Sequence, residues 1–336
     1  MEKFTHIESF YHIVKYVDKV NADDVPKEYR IRNPVRFRGT VKLHGTNSGV
    51  ACKKRELQAQ SRNRIIDVTN DNLEFTKFVV GEEQTKAIRE IEADIRDIFK
   101  IPEETIVTLY GEWVGPGIQQ ATALNKLPKR QWVLFAVKSG DQYLDAVPSL
   151  GDRYAEARIF SIVDVDKFDL TVDFNDSESK QAALDQATEW TNKVEEQCPW
   201  GAKFGCEGIG EGIVWTPIGP HFGRTDLYWK SKGLKHKVVA KKKPKSLDPE
   251  VINNVREFVD YAVTEARLLQ GMDYLREMNL PTDSMRSTGD FLRWIGQDIS
   301  RECEQELEDN HLKWKQVAGA INAKAKDWFK AQVETI

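Results

Sequence analysis

Long apolar runs are missing from this 336-residue sequence. None approaches the roughly 20 residues needed to span a bilayer, so no membrane association is expected. The opening residues, MEKFTHIESFYHIVKYVDKV, are broken by charges and contain no apolar core followed by a cleavage site. They do not read as a signal peptide. Cysteine is scarce: Cys52, Cys198, Cys206 and Cys303 are scattered, with no C-x-x-C pair. That argues against a disulfide framework and a zinc site, and it suits a reducing, cytoplasmic setting. Several catalytic signatures are also missing. There is no P-loop, no H-E-x-x-H, no dinucleotide fingerprint and no G-x-S-x-G.

The composition that remains is that of a globular protein, with 40% hydrophobic and 30% charged residues. The length suits one large domain and a smaller one. Net charge is −4, but its distribution is uneven. From Lys230 to Lys245, KSKGLKHKVVAKKKPK carries eight lysines and no acid, whereas residues 246–336 carry 17 acids and 11 bases. Such a patch in a mildly acidic chain suits a phosphate-rich ligand held at one place. Taken alone, a lysine run is more often a solvated linker.

Periodicity separates two textures. VRFRGTVK, SGVACKK, LQAQSR, TIVTLYGEW, QWVLFAV and EGIVW read as strands. EEQTKAIREIEADIRDIF sets Ile88, Ile91, Ile95 and Ile98 at helical spacing, and SESKQAALDQATEWTNKVEEQ reads as a second amphipathic helix. Strands and helices in no βαβ rhythm predict an α+β domain on antiparallel sheet. After PKSLDP the pattern is helical throughout. One helix is expected over 249–278, with Pro249 in its first turn. Ser287 is placed to cap a second over 288–308, and a third runs over about 312–333. The predicted division is 1–243 and a small all-helical domain, 244–336.

Short polar clusters at strand ends carry the chemistry, each weak by itself. Lys42-Leu43-His44-Gly45-Thr46-Asn47 puts an amine beside a tight turn. A lysine is a nucleophile only when neutral, and nearby cations favour that state. Arg62 can fork onto a phosphate or pair with a carboxylate. Glu112, after the apolar run IVTLY and before a glycine-rich loop, can accept from ribose hydroxyls or help hold a cation. Phe135 in VLFAV is by its pattern more often core than ligand platform. EGIGEGIVW offers Glu207 and Glu211 to a hard cation. Lys230 and Lys232 alternate along one strand face, where two cations can clamp one phosphate. Lys235 and Lys237 form a second such pair.

In this order, Lys-x-His-Gly-Thr-Asn, Ser-Arg, Tyr-Gly-Glu, an aromatic strand, Glu-Gly-x-Val and Lys-x-Lys resemble the signature of the covalent nucleotidyltransferases. That superfamily comprises ATP-dependent polynucleotide ligases and mRNA capping enzymes. The similarity is greatest to nick-sealing phage RNA ligases of the RNA ligase 2 type, which include the trypanosome RNA-editing ligases. It implies an antiparallel-sheet adenylyltransferase domain, ATP and Mg²⁺ or Mn²⁺ as cofactors, and a nicked RNA duplex or RNA/DNA hybrid as partner. It also implies a monomer, in the cytoplasm or a host's cytoplasm if phage-encoded. Lys42 would attack the α-phosphate of ATP, Glu112 hold the ribose, and Phe135 stack on adenine. Asn47 and Arg62 would steer phosphates, Glu211 serve the metal, and Lys230 and Lys232 neutralise the α-phosphate. Lys235 and Lys237 would contact nucleic acid. A DNA ligase and a GTP-using capping enzyme share the nucleophile, but usually carry an OB-fold where this sequence reads as helix. A nucleic-acid-binding module would not need the nucleophile.

Overall fold

The structure, a computed structural model, describes residues 1–54, 56–119, 122–145, 147–233 and 251–335. The chain divides into two compact units, Met1–His236 and Lys237–Ile336. The boundary expected between residues 243 and 244 lies outside the described residues, as do Pro249, Lys235 and Lys237.

Among the described residues, the first unit has eleven strands. In chain order they are β1 (Glu8–Ser9), β2 (Val35–Lys42), β3 (Thr46–Lys53), β4 (Glu56–Ser61), β5 (Val107–Val114) and β6 (Gln131–Ser139). β7 (Gln142–Tyr143), β8 (Ile159–Ser161), β9 (Lys167–Val172), β10 (Gly212–Pro217) and β11 (Trp229–Lys232) complete them. One sheet has the order β1-β11-β10-β2-β9, and the other β4-β3-β5-β6-β7 with β8 beside β6. Pairing is antiparallel except for β1 with β11 and β8 with β6. The unit is therefore α+β on antiparallel sheet, as its pattern predicts.

Strict alternation decides how β2 sits. Val35, Phe37, Gly39 and Val41 are buried, whereas Arg36 and Arg38 are exposed and Thr40 and Lys42 half-buried. The buried face is covered by α1 (Phe10–Val20) and by the later helix α4 (Ser177–Glu196). Phe10 meets Trp229 at 4.8 Å between ring centroids, and Trp215 stacks on Trp229 at 5.2 Å. The second sheet is covered by α2 (Phe75–Val79) and α3 (Glu82–Phe99). Ile88, Ile91 and Ile95 of α3 are buried as their spacing predicts, but Ile98 in the last turn is 64% exposed.

Two further helices, α4 (Ser177–Glu196) and α5 (Pro199–Lys203), precede β10. Asp176 caps α4 by accepting from the Glu178 and Ser179 N–H groups. Trp190 of α4 lies 5.8 Å from Trp215, which fastens the helix to the first sheet.

The second unit is helical throughout its described residues: α6 (Val251–Ala262), α7 (Glu265–Glu277), α8 (Thr288–Glu302), α9 (Glu304–Asp309) and α10 (Trp314–Thr335). The single helix expected over 249–278 is two helices. Thr264 starts α7 by accepting from the Arg267 N–H, and fully buried Arg267 donates to the Ala262 carbonyl at the end of α6. Arg267 also pairs with Asp298 at 2.8 Å. Ser287 makes no side-chain cap, and the helix expected over 288–308 breaks at Cys303.

Candidate active site

Lys42 is the last residue of β2, and register places it beside Gly212 of β10. Lys232 of β11 stands on the other side of Gly212. Opposed residues of antiparallel strands share a face, so both lysines project from the same side of the sheet. Glu211, one residue before Gly212, closes the gap between them. Lys42 Nζ donates to Glu211 Oε2 at 2.6 Å, Lys232 Nζ lies 3.3 Å from Oε1, and His44 Nδ1 lies 3.4 Å from Oε2. A single buried carboxylate thus gathers three basic side chains. Burial works against its charge, yet Lys42, Lys232 and His44 hold Glu211 well below the usual carboxylate range.

Backbone chemistry aims that carboxylate. The segment before β10 is pinned by the Gly210 N–H on the Val194 carbonyl at 3.1 Å and by Ala123 N–H on the Ile209 carbonyl at 3.0 Å. Gly212 has φ +154, and a Cβ there would stand 2.0 Å from the Ser231 carbonyl oxygen. Only glycine lets β10 and β11 approach closely enough for both lysines to reach Glu211. Gly45 does similar work at the turn: a Cβ would lie 2.4 Å from the Trp113 carbonyl oxygen. The turn therefore lies against β5, and the Gly45 N–H reaches Glu112 Oε1 at 3.2 Å.

The sequence reading sets Glu112 at the end of a strand, but β5 continues to Val114 and holds Glu112 within it. Asn47 is its register partner on β3. Desolvation pushes the Glu112 carboxyl up to about 7. Lys42 opposes this, Glu211 reinforces it, and the Gly45 N–H and Arg62 oppose it further. Arg62 is exposed just past β4, with Nη2 3.4 Å from His6 Nδ1.

Phe135 occupies an irregularity in the β5–β6 ladder. Leu134 faces Gly111 and Ala136 faces Tyr110, leaving Phe135 as the extra residue. Such a bulge re-aims a side chain. Phe135 is half-buried, with Phe4 edge-on against it at 5.0 Å between centroids.

Phe4 went unread in the sequence analysis. The Glu2 carbonyl accepts from the Tyr110 hydroxyl at 2.9 Å and from Gln60 at 2.6 Å, while the Glu2 carboxylate pairs with Lys138 at 2.8 Å. These contacts lay the N-terminus over the second sheet, and β1 then joins the first. No local motif announces them. His44 also went unassigned, although it stands within the Lys-x-His-Gly motif.

Lys230 lies two residues before Lys232 on the same face, opposite Val214. Glu207, the other carboxylate of EGIGEG, is exposed, and its carbonyl accepts from Lys126 at 2.7 Å. Among the described residues, no group of three or more His, Cys, Asp or Glu is arranged to hold a metal ion.

A sequence-family model described as RNA ligase matches residues 35–243, more than half of the chain. The chain belongs to the RNA ligase family. The matched segment contains the whole Lys42, Glu112, Glu211 and Lys232 arrangement. No curated protein matches the sequence. Among solved structures, Naegleria gruberi RNA ligase with PPi matches at TM-score 0.38 and 16% identity. A mutant of that ligase with ATP and Mn matches at 0.40 and 16%, and an apo mutant at 0.41 and 17%. Each match covers 69% of this chain and 56% of the ligase, so the alignment spans little more than half of that protein's length.

Proposed function

We propose that this chain is an ATP-dependent RNA ligase that seals 3′-hydroxyl/5′-phosphate nicks in duplex RNA or RNA/DNA hybrids through a lysyl-AMP intermediate. The observation that carries this reading is the Glu211 carboxylate shared by Lys42 and Lys232 at the strand ends. A structural surface pair needs one lysine, and no position where a Cβ would stand 2.0 Å from a carbonyl oxygen, to bring in a second.

The residues fit a nucleoside triphosphate. Lys42, Lys230 and Lys232 supply cations on one sheet face, half-buried Glu112 is an acceptor for ribose hydroxyls, and bulged Phe135 is a platform for the base. Glu211 is the carboxylate that would serve Mg²⁺ or Mn²⁺ alongside phosphate oxygens and water. Such an ion, when bound, adds neutralisation of phosphate charge.

An amine in an ion pair is not a nucleophile, so Lys42 must leave Glu211 before it attacks. Lys42 gives its protons to solvent as it attacks, and Lys232 and Lys230 stabilise charge on the α-phosphate. A bond forms from Lys42 Nζ to the α-phosphorus as the bond to pyrophosphate breaks. The AMP then passes to a 5′-phosphate end, and attack by a 3′-hydroxyl seals the strand and releases AMP. Asn47 and Arg62 steer phosphates through these displacements, which ask mainly for positioning and cations. Lys235 and Lys237 are proposed contacts for the nucleic acid.

The test is label transfer from α-³²P-ATP or α-³²P-GTP with Mg²⁺, read on a denaturing gel against Lys42→Ala. Label from ATP alone, absent in the variant, is the expected result. Label from GTP would move the chain to capping chemistry. No label with either, from folded protein not already adenylylated, would overturn the reading.

A further inference from the structure

We propose that the open face of the first sheet is a docking track for the phosphodiester backbone of the strand being joined, leading along β2 into Lys42. This rests on the ligase reading and extends it to residues outside the nucleotide site. The outward side chains of β2 are Arg36, Arg38, Thr40 and Lys42, in line from the exposed end of the strand to the nucleophile. Register adds to the same face. Lys167 of β9 lies beside Thr40, Asp169 beside Arg38, and Thr216 of β10 on the other side of Arg38. Lys230 and Lys232 continue the face across β11.

The charge on this face departs from the rest of the chain. The strand positions carry six cations and one acid, Asp169, in a protein with 53 acids against 49 lysines and arginines. Burial is graded along it as well: Arg36, Arg38 and Lys167 are exposed, while Lys42, Lys230 and Lys232 are half-buried. Alternate residues of a strand recur about every 6.7 Å, which gives a row of cations to a polyanion whose charge also repeats along its length. Asp169 pairs with Arg38 at 3.3 Å, and both are exposed. Such a pair is weak, so Arg38 can exchange that carboxylate for a phosphate. A protein partner of the face would have to be comparably acidic along an extended strand, whereas the ligase reaction itself brings a phosphate chain to Lys42. Contacts of this kind read backbone and not base, so they position either sugar type.

The test uses the full chain with a fluorescein-labelled nicked RNA duplex, without ATP or Mg²⁺, and anisotropy across a salt series. Arg36→Glu with Arg38→Glu is expected to weaken binding at least about 10-fold and to lower the salt slope by about 2. Lysyl-AMP formation from ATP should stay within about twofold. Asp169→Asn, which removes the competing carboxylate, is expected to tighten binding. If the double reversal does not fold, Arg36→Gln with Lys167→Gln carries the same expectation for the slope. Unchanged affinity and slope in a folded variant, or weaker binding by Asp169→Asn, would overturn the track. Failure of the ligase reading is distinguishable, because there the unaltered chain itself takes no label from ATP.

Discussion

The two carboxylates of the site are driven in opposite directions by the same two forces. Burial pushes both up, but Glu211 is gripped by two lysines and a histidine, whereas at Glu112 burial and the Glu211 charge outweigh Lys42, the Gly45 N–H and Arg62. Glu112 therefore holds its proton up to about pH 7, whereas in the unfolded chain it would release it near the ordinary value of 4.5. Between those values the folded state binds more protons, so this group's contribution to stability falls as pH rises. Glu112→Gln keeps an acceptor for the Gly45 N–H and removes the titration. Its unfolding free energy, read from thermal melts, is expected to match the parent's dependence below pH 4.5 and to gain on the parent through pH 7, by about 3 kcal/mol at most. Parallel melting profiles across that window would count against the assignment. Glu211, depressed and present in both proteins, acts at lower pH and cancels from the comparison.

Individual site residues were legible for a physical reason. Lys42 and Lys232 end their strands and Glu211 directly precedes one, and a polar side chain beside an apolar run marks a candidate site. Glu211 is preferred to Glu207 in the sequence because Val214 completes Glu-Gly-x-Val, but its pairing with both Lys42 and Lys232 depends on the close pass of β10 and β11, and that is tertiary.

At the scale of elements, β10 and β11 bring the two lysines of the candidate site together. Their pairing is short and depends on the close pass at Gly212, where φ is +154 and the Ser231 carbonyl fills the space of a Cβ. Gly212→Ala is expected to separate the strands, cost about 2–4 kcal/mol and lose both Glu211 ion pairs. Chemical denaturation gives the first quantity, and label transfer from ATP falling with stability restored at low temperature gives the second. A variant as stable and active as its parent would refute the role of the close pass.

Helix ends were the least legible elements. Between 250 and 278 no proline interrupts the run and its one glycine, Gly271, lies within α7, yet Thr264 and buried Arg267 end one helix and begin another. Arg267 reaches Asp298, 31 residues away, a contact that local periodicity does not carry.

At the scale of the whole molecule, the two compact units divide the proposed work. Lys42, Glu112, Phe135, Glu211 and Lys232 all belong to the unit Met1–His236, so the proposed lysyl-AMP chemistry would fall to it. The helical unit is proposed to matter more for engaging nicked ends. A chain ending at about residue 245 is expected to keep label transfer from ATP while losing most sealing of a nicked duplex; equal loss of both would count against this division. The sequence by itself determined the antiparallel α+β character, the helical second part, and the identity of the nucleophile candidate, because alternation, helical spacing and short polar motifs are local properties of a chain. Tertiary structure decided which carboxylate gathers the lysines, how Phe4 reaches Phe135, and that Arg36, Arg38 and Lys167 share the open face with Lys42. Those facts depend on strand register and on contacts between residues far apart in sequence, and register is set by the packing of the whole sheet.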